Sequence, residues 1–245
     1  MLRTFLFACL APLAACHLSF GDHVIVDGVR LPAKHEEVLT LESWPAGGLE
    51  IAAHVGDLSV EHGDGPITLT VTLLEREPGE AHAEFEGGKL VARAANGATC
   101  ALGGVRVRTA SAPGGLDLST GVGDVRVDGV GVTGRLKVST GTGDVDVRAA
   151  GEPDAIELAT GVGDVSVSDV RCTRFAARTG TGDVSVRGLE ASEDSELSSG
   201  LGDVQVARSK GKRVKANTGL GDVDLVESSF EKRELDTGLG RVREH

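Results

Sequence analysis

From Leu116 onward the apolar positions fall into two short alternating runs on either side of a glycine pair. Leu116 and Leu118, Leu136 and Val138, Ile156 and Leu158, and Phe175 and Ala177 precede the glycines; a Val-x-Val follows them. Alternation with a period of two is strand patterning with one buried face. The glycines between the runs let the backbone take positive φ and turn sharply. The phrase Gly-x-Gly-Asp-Val-x-Val starts at Gly121, Gly141, Gly161, Gly180 and Gly200, then at Gly219 with Leu225 as its last residue, and at Gly238 with Arg241 in place of Asp. Its aspartates, Asp124, Asp144, Asp164, Asp183, Asp203 and Asp222, are spaced 20, 20, 19, 20 and 19 apart. Such a unit is too short for strand-helix-strand, which needs roughly 30 residues. It predicts one coil of a parallel β-solenoid, with coils stacked at ~4.8 Å. Val125 to Val223 and Val127 to Leu225 then form two inner ranks.

An earlier copy runs from Leu49 to Val60, with His54 where the first Gly should stand. The solenoid is therefore expected to begin near Leu49 and to be interrupted by residues 61–115. Pro66–Arg76 and Ala81–Ala95 alternate like two longer strands, the second broken at Gly87-Gly88. They are expected as a lateral hairpin or small sheet over the first coils. His23–Leu31, with Asp27-Gly28 at the turn, reads as a hairpin. Charged residues in Arg241–His245 fall where the last coil would expose an edge, a usual guard against edge pairing. The fold class is all-β: a single-domain parallel β-solenoid of 19–20-residue coils with an N-terminal strand-rich insert. Its boundaries are 36–245 for the domain, 61–115 for the insert and 116–245 for the regular repeats.

Composition agrees with this. The 245 residues include 35 Gly but only six Phe, one Trp and no Tyr. Glycine at this level argues against a mostly helical chain, and a narrow β-coil filled by Val, Leu, Ile and Ala has little use for rings. Seven Pro without a G-X-Y period exclude collagen. A formal net charge of −12 disfavours nucleic acid as a partner.

The first residues read as an address. Arg3 supplies a basic start, Phe5–Leu13 an apolar run too short to span a bilayer, and Leu13-Ala14-Ala15-Cys16 closes it. The closing four residues look like a bacterial lipobox. On that likeness residues 1–15 are a lipoprotein signal peptide, Cys16 is the lipidated (palmitate-bearing) residue, and 16–35 are tether and hairpin. An ordinary secretory cut near Ala15 is the alternative, and both readings export the protein. His17 after the Cys is not the Asp of inner-membrane retention, so the outer membrane or cell surface is expected over the inner membrane. Cys100 and Cys172 remain in the mature chain; a disulfide between them and two separate thiols both stay open.

The lipobox, the early Gly56-Asp57-Leu58-Ser59-Val60, the strand-rich insert and the later Thr-Gly-x-Gly-Asp-Val-x-Val repeats together resemble a bacterial family of putative adhesins, or β-strand-repeat domains of unknown function. The resemblance covers about residues 36–245. It implies a β-solenoid and a surface role, and carries over no catalytic residue.

A stacked Asp124–Asp222 rank puts carboxylates about 5 Å apart and could bind Ca²⁺ through oxygen; otherwise each Asp caps its own turn by accepting a backbone N–H. Six of the seven His lie between His17 and His82, in no zinc spacing. Gly-x-Gly here lacks the helix and third Gly of a nucleotide fingerprint. The Thr or Ser before each repeat (Thr120, Thr140, Thr160, Thr179, Ser199, Thr218, Thr237) makes one hydroxyl rank, where an ice-binding face would want two; cross-strand hydrogen bonding accounts for it. Arg208, Lys210, Lys212, Arg213 and Lys215 are expected as a solvated loop that could meet an anionic polysaccharide or headgroup.

The function expected is a non-enzymatic envelope lipoprotein, an adhesin or a structural and binding surface. Its partners would be the membrane, through the lipid on Cys16, and an envelope or surface protein or glycan. Nucleic acid, a small-molecule substrate and a cofactor are not expected. The alternatives are a polymerising β-solenoid scaffold and a carbohydrate-active β-helix enzyme, which would want clustered acids and aromatic platforms that Trp44, outside the repeats, does not supply.

Overall fold

A computed structural model describes residues 24–245. Among these the secondary structure is entirely strand and turn. The signal segment, Cys16 and His17 lie outside the described residues.

Each coil contributes one long and one short strand, and one coil adds a two-residue strand, Arg171–Cys172. The long strands, Leu49–Val55, Gly115–Val122, Arg135–Thr142, Ala155–Val162, Arg174–Thr181, Glu190–Leu201, Lys210–Leu220 and Ser229–Leu239, pair in parallel in one sheet. The short strands, from Leu58–His62 and Val125–Asp128 to Val242–Glu244, pair in parallel in a second. The parallel β-solenoid read from the repeat is the fold. Equivalent residues sit directly above one another: Val125 pairs with Val145, Val145 with Val165 and Val165 with Val184. All of these are at most 1% exposed. With Leu118, Val138, Leu158 and Ala177 opposite them they form one continuous core. Each fully buried Val or Leu contributes about 1.5–3 kcal/mol, so regular stacking rather than large side chains holds the rod.

The insert is not lateral. Ala101–Thr109 pairs in parallel with Leu58–His62, then antiparallel with Ile67–Glu75, which pairs antiparallel with Ala33–Leu41. Lys89–Ala94 pairs in parallel with Leu49–Val55 and antiparallel with Ala81–Glu86. Both sheets are thus prolonged in line at the N-terminal end of the stack. The physical reason is edge saturation. Placed laterally, these strands would leave the first coil's edges unpaired and its core end open; in line, Leu69, Leu73, Leu90 and Val107 join the same buried cluster. Glu75, fully buried, holds this cap. Its carboxylate accepts N–H bonds from Gly79 and Ala81, each at 2.8 Å, and lies 2.6 Å from His35 Nδ1. The Val24–Leu31 hairpin turns at Asp27 (φ 49°) and Gly28 (φ 77°), both left-handed as its turn type requires. It packs Val26 and Leu31 on Leu74 and Ala101.

Candidate binding surface at the Gly-x-Gly corner

The corner between the two sheets repeats in every coil, and its parts bond from coil to coil. Thr140 Oγ1 donates to the carbonyl of Gly123 at 2.9 Å; Thr160 does the same to Gly143, Thr179 to Gly163, Ser199 to Gly182 and Thr218 to Gly202. These hydroxyls are buried, so the rank is an internal strut and no surface. The aspartates face outward. The backbone N–H of Asp144 donates to Asp124 Oδ1, that of Asp164 to Asp144 Oδ1, and that of Asp183 to Asp164 Oδ1, each at 2.8 Å. The series runs from Asp57 to Arg241. Each carboxylate therefore caps the turn of the following coil, not its own. Its acceptor is the sheet neighbour because coil stacking, absent from a single repeat, brings that N–H within reach.

The two glycines of each corner are required for different reasons. Gly143 has φ +142°, and a Cβ there would lie 2.1 Å from the carbonyl oxygen of Gly123. Gly141 has no positive φ, yet a Cβ would lie 2.5 Å from the Gly121 oxygen. Close approach alone excludes a side chain at the first position. His54 can occupy it in the first coil because the neighbouring strand Lys89–Ala94 pairs only with Glu50 and Ile51 and does not reach it.

One further feature escaped the sequence reading. The middle residue of Gly-x-Gly points outward, and the register stacks Val55, Val122, Thr142, Val162, Thr181, Leu201, Leu220 and Leu239 in one line. The line is about 34 Å long at ~4.8 Å per coil. Val162 is 52% exposed, Leu201 48% and Leu220 45%. Ranks of glycine flank this ridge on both sides, so its side chains stand free. The signal in the sequence is the residue between the two glycines, apolar at Val122, Val162, Leu201, Leu220 and Leu239.

Charge is distributed unevenly around the rod. On the long-strand face acids and bases neutralise one another across coils: Lys137 and Asp117 at 3.0 Å, Arg135 and Glu157 at 2.6 Å, Arg178 and Glu196 at 2.6 Å. At the corner, Asp222 pairs with Arg243 at 2.9 Å. Among the described residues no cation pairs with Asp57, Asp124, Asp144, Asp164, Asp183 or Asp203. These carboxylates form a line with one oxygen of each already engaged. No group of three or more His, Cys, Asp or Glu among the described residues is placed to hold a metal ion.

The basic cluster is no loop. Lys210, Lys212, Arg213 and Lys215 lie on the strand Lys210–Leu220, and Lys210, Arg213 and Lys215 meet Glu190, Asp194 and Glu196 of the preceding coil at 3.0, 3.3 and 3.9 Å. Three of its five charges are thus engaged in coil-to-coil pairing, while Arg208 sits in the turn before the strand. Cys100 and Cys172 are free thiols. Cys100 lies in the cap and Cys172 about four coil steps away, roughly 19 Å at ~4.8 Å each, far beyond the ~7 Å limit between bridged Cα atoms. Burial raises the Cys172 thiol to about 12. Burial, helped by the charges of Glu75 and Glu80, also raises Cys100. Both thiols stay protonated and unreactive at neutral pH. Trp44 donates its ring N–H to Ser111 O and Oγ at 3.1 and 3.0 Å and packs against the core.

With this geometry in hand, residues 133–243 match the profile of the Toastrack family, DUF4097. Among solved structures, a putative adhesin from Bacteroides fragilis NCTC 9343 superposes with a TM-score of 0.59 at 16% identity, over 87% of this chain and 97% of that one. A putative adhesin from Parabacteroides distasonis ATCC 8503 superposes with a TM-score of 0.51 at 16% identity, over 86% and 97%. At such identity the likeness is one of fold. No curated protein matches the chain.

Proposed function

We propose that this chain, whose residues 133–243 match the Toastrack family profile, is a non-enzymatic envelope lipoprotein. Its solenoid would serve as a rod presenting a long lateral surface for binding or adhesion. Residues 1–15 are removed and lipid on Cys16 holds the rod to a membrane, the outer membrane or cell surface by the His17 criterion.

The observation that carries this reading is where the tether enters. The first described strand, Val24–Val26, belongs to the hairpin packed on the N-terminal cap. A lipid at Cys16 would therefore hold the rod by its capped end and leave its flanks and C-terminal coils free. A net charge of −12 repels anionic headgroups, so the lipid rather than the protein surface would supply the attachment. The two solved putative adhesins share the fold and are in keeping with a surface role.

Two observations weigh against the alternatives. A sugar-processing enzyme would use ring platforms, and the single Trp is engaged in packing and in bonds to Ser111. A scaffold that polymerises by coil-on-coil stacking would want an apolar end face. In the C-terminal coil Arg233 stands in the rank of Val214, and Glu244 in that of Leu225.

Radiolabelled fatty acid fed to cells making the wild type and Cys16→Ala tests the anchor. Label in the wild type alone, with the protein in the membrane fraction, is the expected result. An unlabelled, freely soluble wild type would overturn it.

A further inference from the structure

We infer that the exposed Val/Leu ridge at the Gly-x-Gly corner, with the adjoining carboxylate row, is the docking surface for a cationic polypeptide whose Lys or Arg side chains alternate with aliphatic ones. This rests on the reading of the rod as a binding surface and names the place and the partner's chemistry.

Three observations converge. Val162, Leu201 and Leu220 lie in register along one line and are about half exposed, although this chain has inward positions for such residues in every coil. Glycines on either side leave room for a partner's side chains to drop beside each one. The row Asp124, Asp144, Asp164, Asp183 and Asp203 runs parallel to the ridge on the adjoining side, and among the described residues no cation pairs with it. Elsewhere on the long-strand face, acids such as Asp117, Glu157 and Glu196 have basic partners from adjacent coils. An uncompensated acidic row selects a basic partner and steers its approach.

The partner must bind through side chains. Corner backbone groups are already used between coils: Gly143 N–H donates to the Val162 carbonyl at 2.9 Å, and Val145 N–H to that of Asp164 at 2.9 Å. Addition of a strand at this place has no donors or acceptors to use. A second copy of this chain is the poorer occupant. Both copies are strongly acidic, and their unpaired carboxylate rows would be brought together along the contact.

The test uses the whole protein and two labelled synthetic dodecapeptides of equal charge, one alternating Lys with Val and the other Lys with Ser, read by fluorescence anisotropy. The Lys/Val peptide is expected to bind at least ~10-fold more tightly, since burying its valines supplies the difference. A Val162→Ser, Leu201→Ser, Leu220→Ser variant should erase that preference. An Asp144→Asn, Asp164→Asn, Asp183→Asn variant, whose amide oxygens keep the coil-to-coil bonds, should weaken both peptides and flatten their salt dependence. Thermal melts of both variants confirm folding. Equal affinity for the two peptides, an unchanged preference in the serine variant, or no binding at all would overturn the proposal. So would a wild-type dimer in sedimentation that the serine variant loses, which would give the ridge to a second copy. None of these outcomes touches fatty-acid labelling of Cys16, so loss of this inference is separable from loss of the lipoprotein reading.

Discussion

Asp144 donates its backbone N–H to the carboxylate of Asp124 at 2.8 Å, and its own carboxylate receives the N–H of Asp164 at the same distance. The aspartate of the repeat is thus a hinge pin between successive coils. Its value lies in acceptor geometry, and its charge works against it, because equal charges stack at ~4.8 Å. Asp164→Ala should cost about 1 kcal/mol in urea unfolding, the usual net worth of such a bond. Asp164→Asn should equal or exceed the wild type. If Asn cost as much as Ala, the charge and not the acceptor would be what matters.

Glycine at the second corner position is constrained by contact as well as by φ. Gly143→Ala places a Cβ 2.1 Å from backbone oxygen and should destabilise by more than about 3 kcal/mol, in the range reserved for named severe mechanisms. Gly114→Ala, where nothing lies within 4 Å, is the internal control and should fall near zero. Circular-dichroism melts of the two variants settle the comparison.

A second corner, after the short strands, is also left-handed but is built mostly from residues other than glycine. Ala149 (φ 45°), Asp169 (φ 54°), Arg208 (φ 49°) and Glu227 (φ 46°) occupy it, beside Gly129 and Gly188. A side chain in this conformation costs roughly 1–2 kcal/mol. The unfolded-state entropy of Gly offsets about half of that gain. Arg208→Gly should therefore stabilise by about 0.5–1 kcal/mol, measured by urea denaturation. A destabilised variant would show that the Arg208 side chain makes a compensating contact.

Glu75 ties pH to the stability of the N-terminal cap. Burial pushes its carboxyl up, but the N–H groups of Ala81 and Gly79, with His35, outweigh it and hold the group below its ordinary 4.5. A pKa lowered on folding contributes stability that is fully present above 4.5 and is lost as pH falls through the folded value. Glu75→Gln should be less stable than the wild type at neutral pH. It should also lose less stability on acidification below about 4.5, as read from urea midpoints across pH. Parallel acid profiles for the two proteins would contradict this role.

In the last coil of the stack Arg233 Nη1 donates to Glu244 Oε2 at 2.7 Å, an ion pair that stands in the ranks of Val214 and Leu225. An Arg233→Val, Glu244→Leu variant restores the apolar ranks of Val214 and Leu225. It should form larger species than the wild type in sedimentation velocity as concentration rises. An unchanged size would mean that the pair does not guard this end.

The fold was legible because the repeat states one coil several times over. Period-two runs around Gly-x-Gly specify short strands and a corner, and nearly constant spacing makes parallel stacking the arrangement that buries every Val-x-Val at once. The Val24–Leu31 hairpin was legible from Asp27-Gly28, since local turn chemistry suffices there. The left-handed corner at Ala149 and Arg208 was not, because neither residue favours positive φ; the coils above and below impose it.

What the sequence determined by itself is everything that repeats within one coil: strand, corner and inner face. What the tertiary structure decided is everything that depends on the neighbouring coil. The acceptor of each Asp N–H, the need for Gly141 at ordinary φ, the neutralising of Lys210 by Glu190 and the in-line course of residues 61–115 are all of this kind. So is the ridge of Val162, Leu201 and Leu220. Within the regular repeats each arises across one coil spacing between residues 19 or 20 apart in the chain, and a pattern read along the chain carries no distance between them until stacking supplies it.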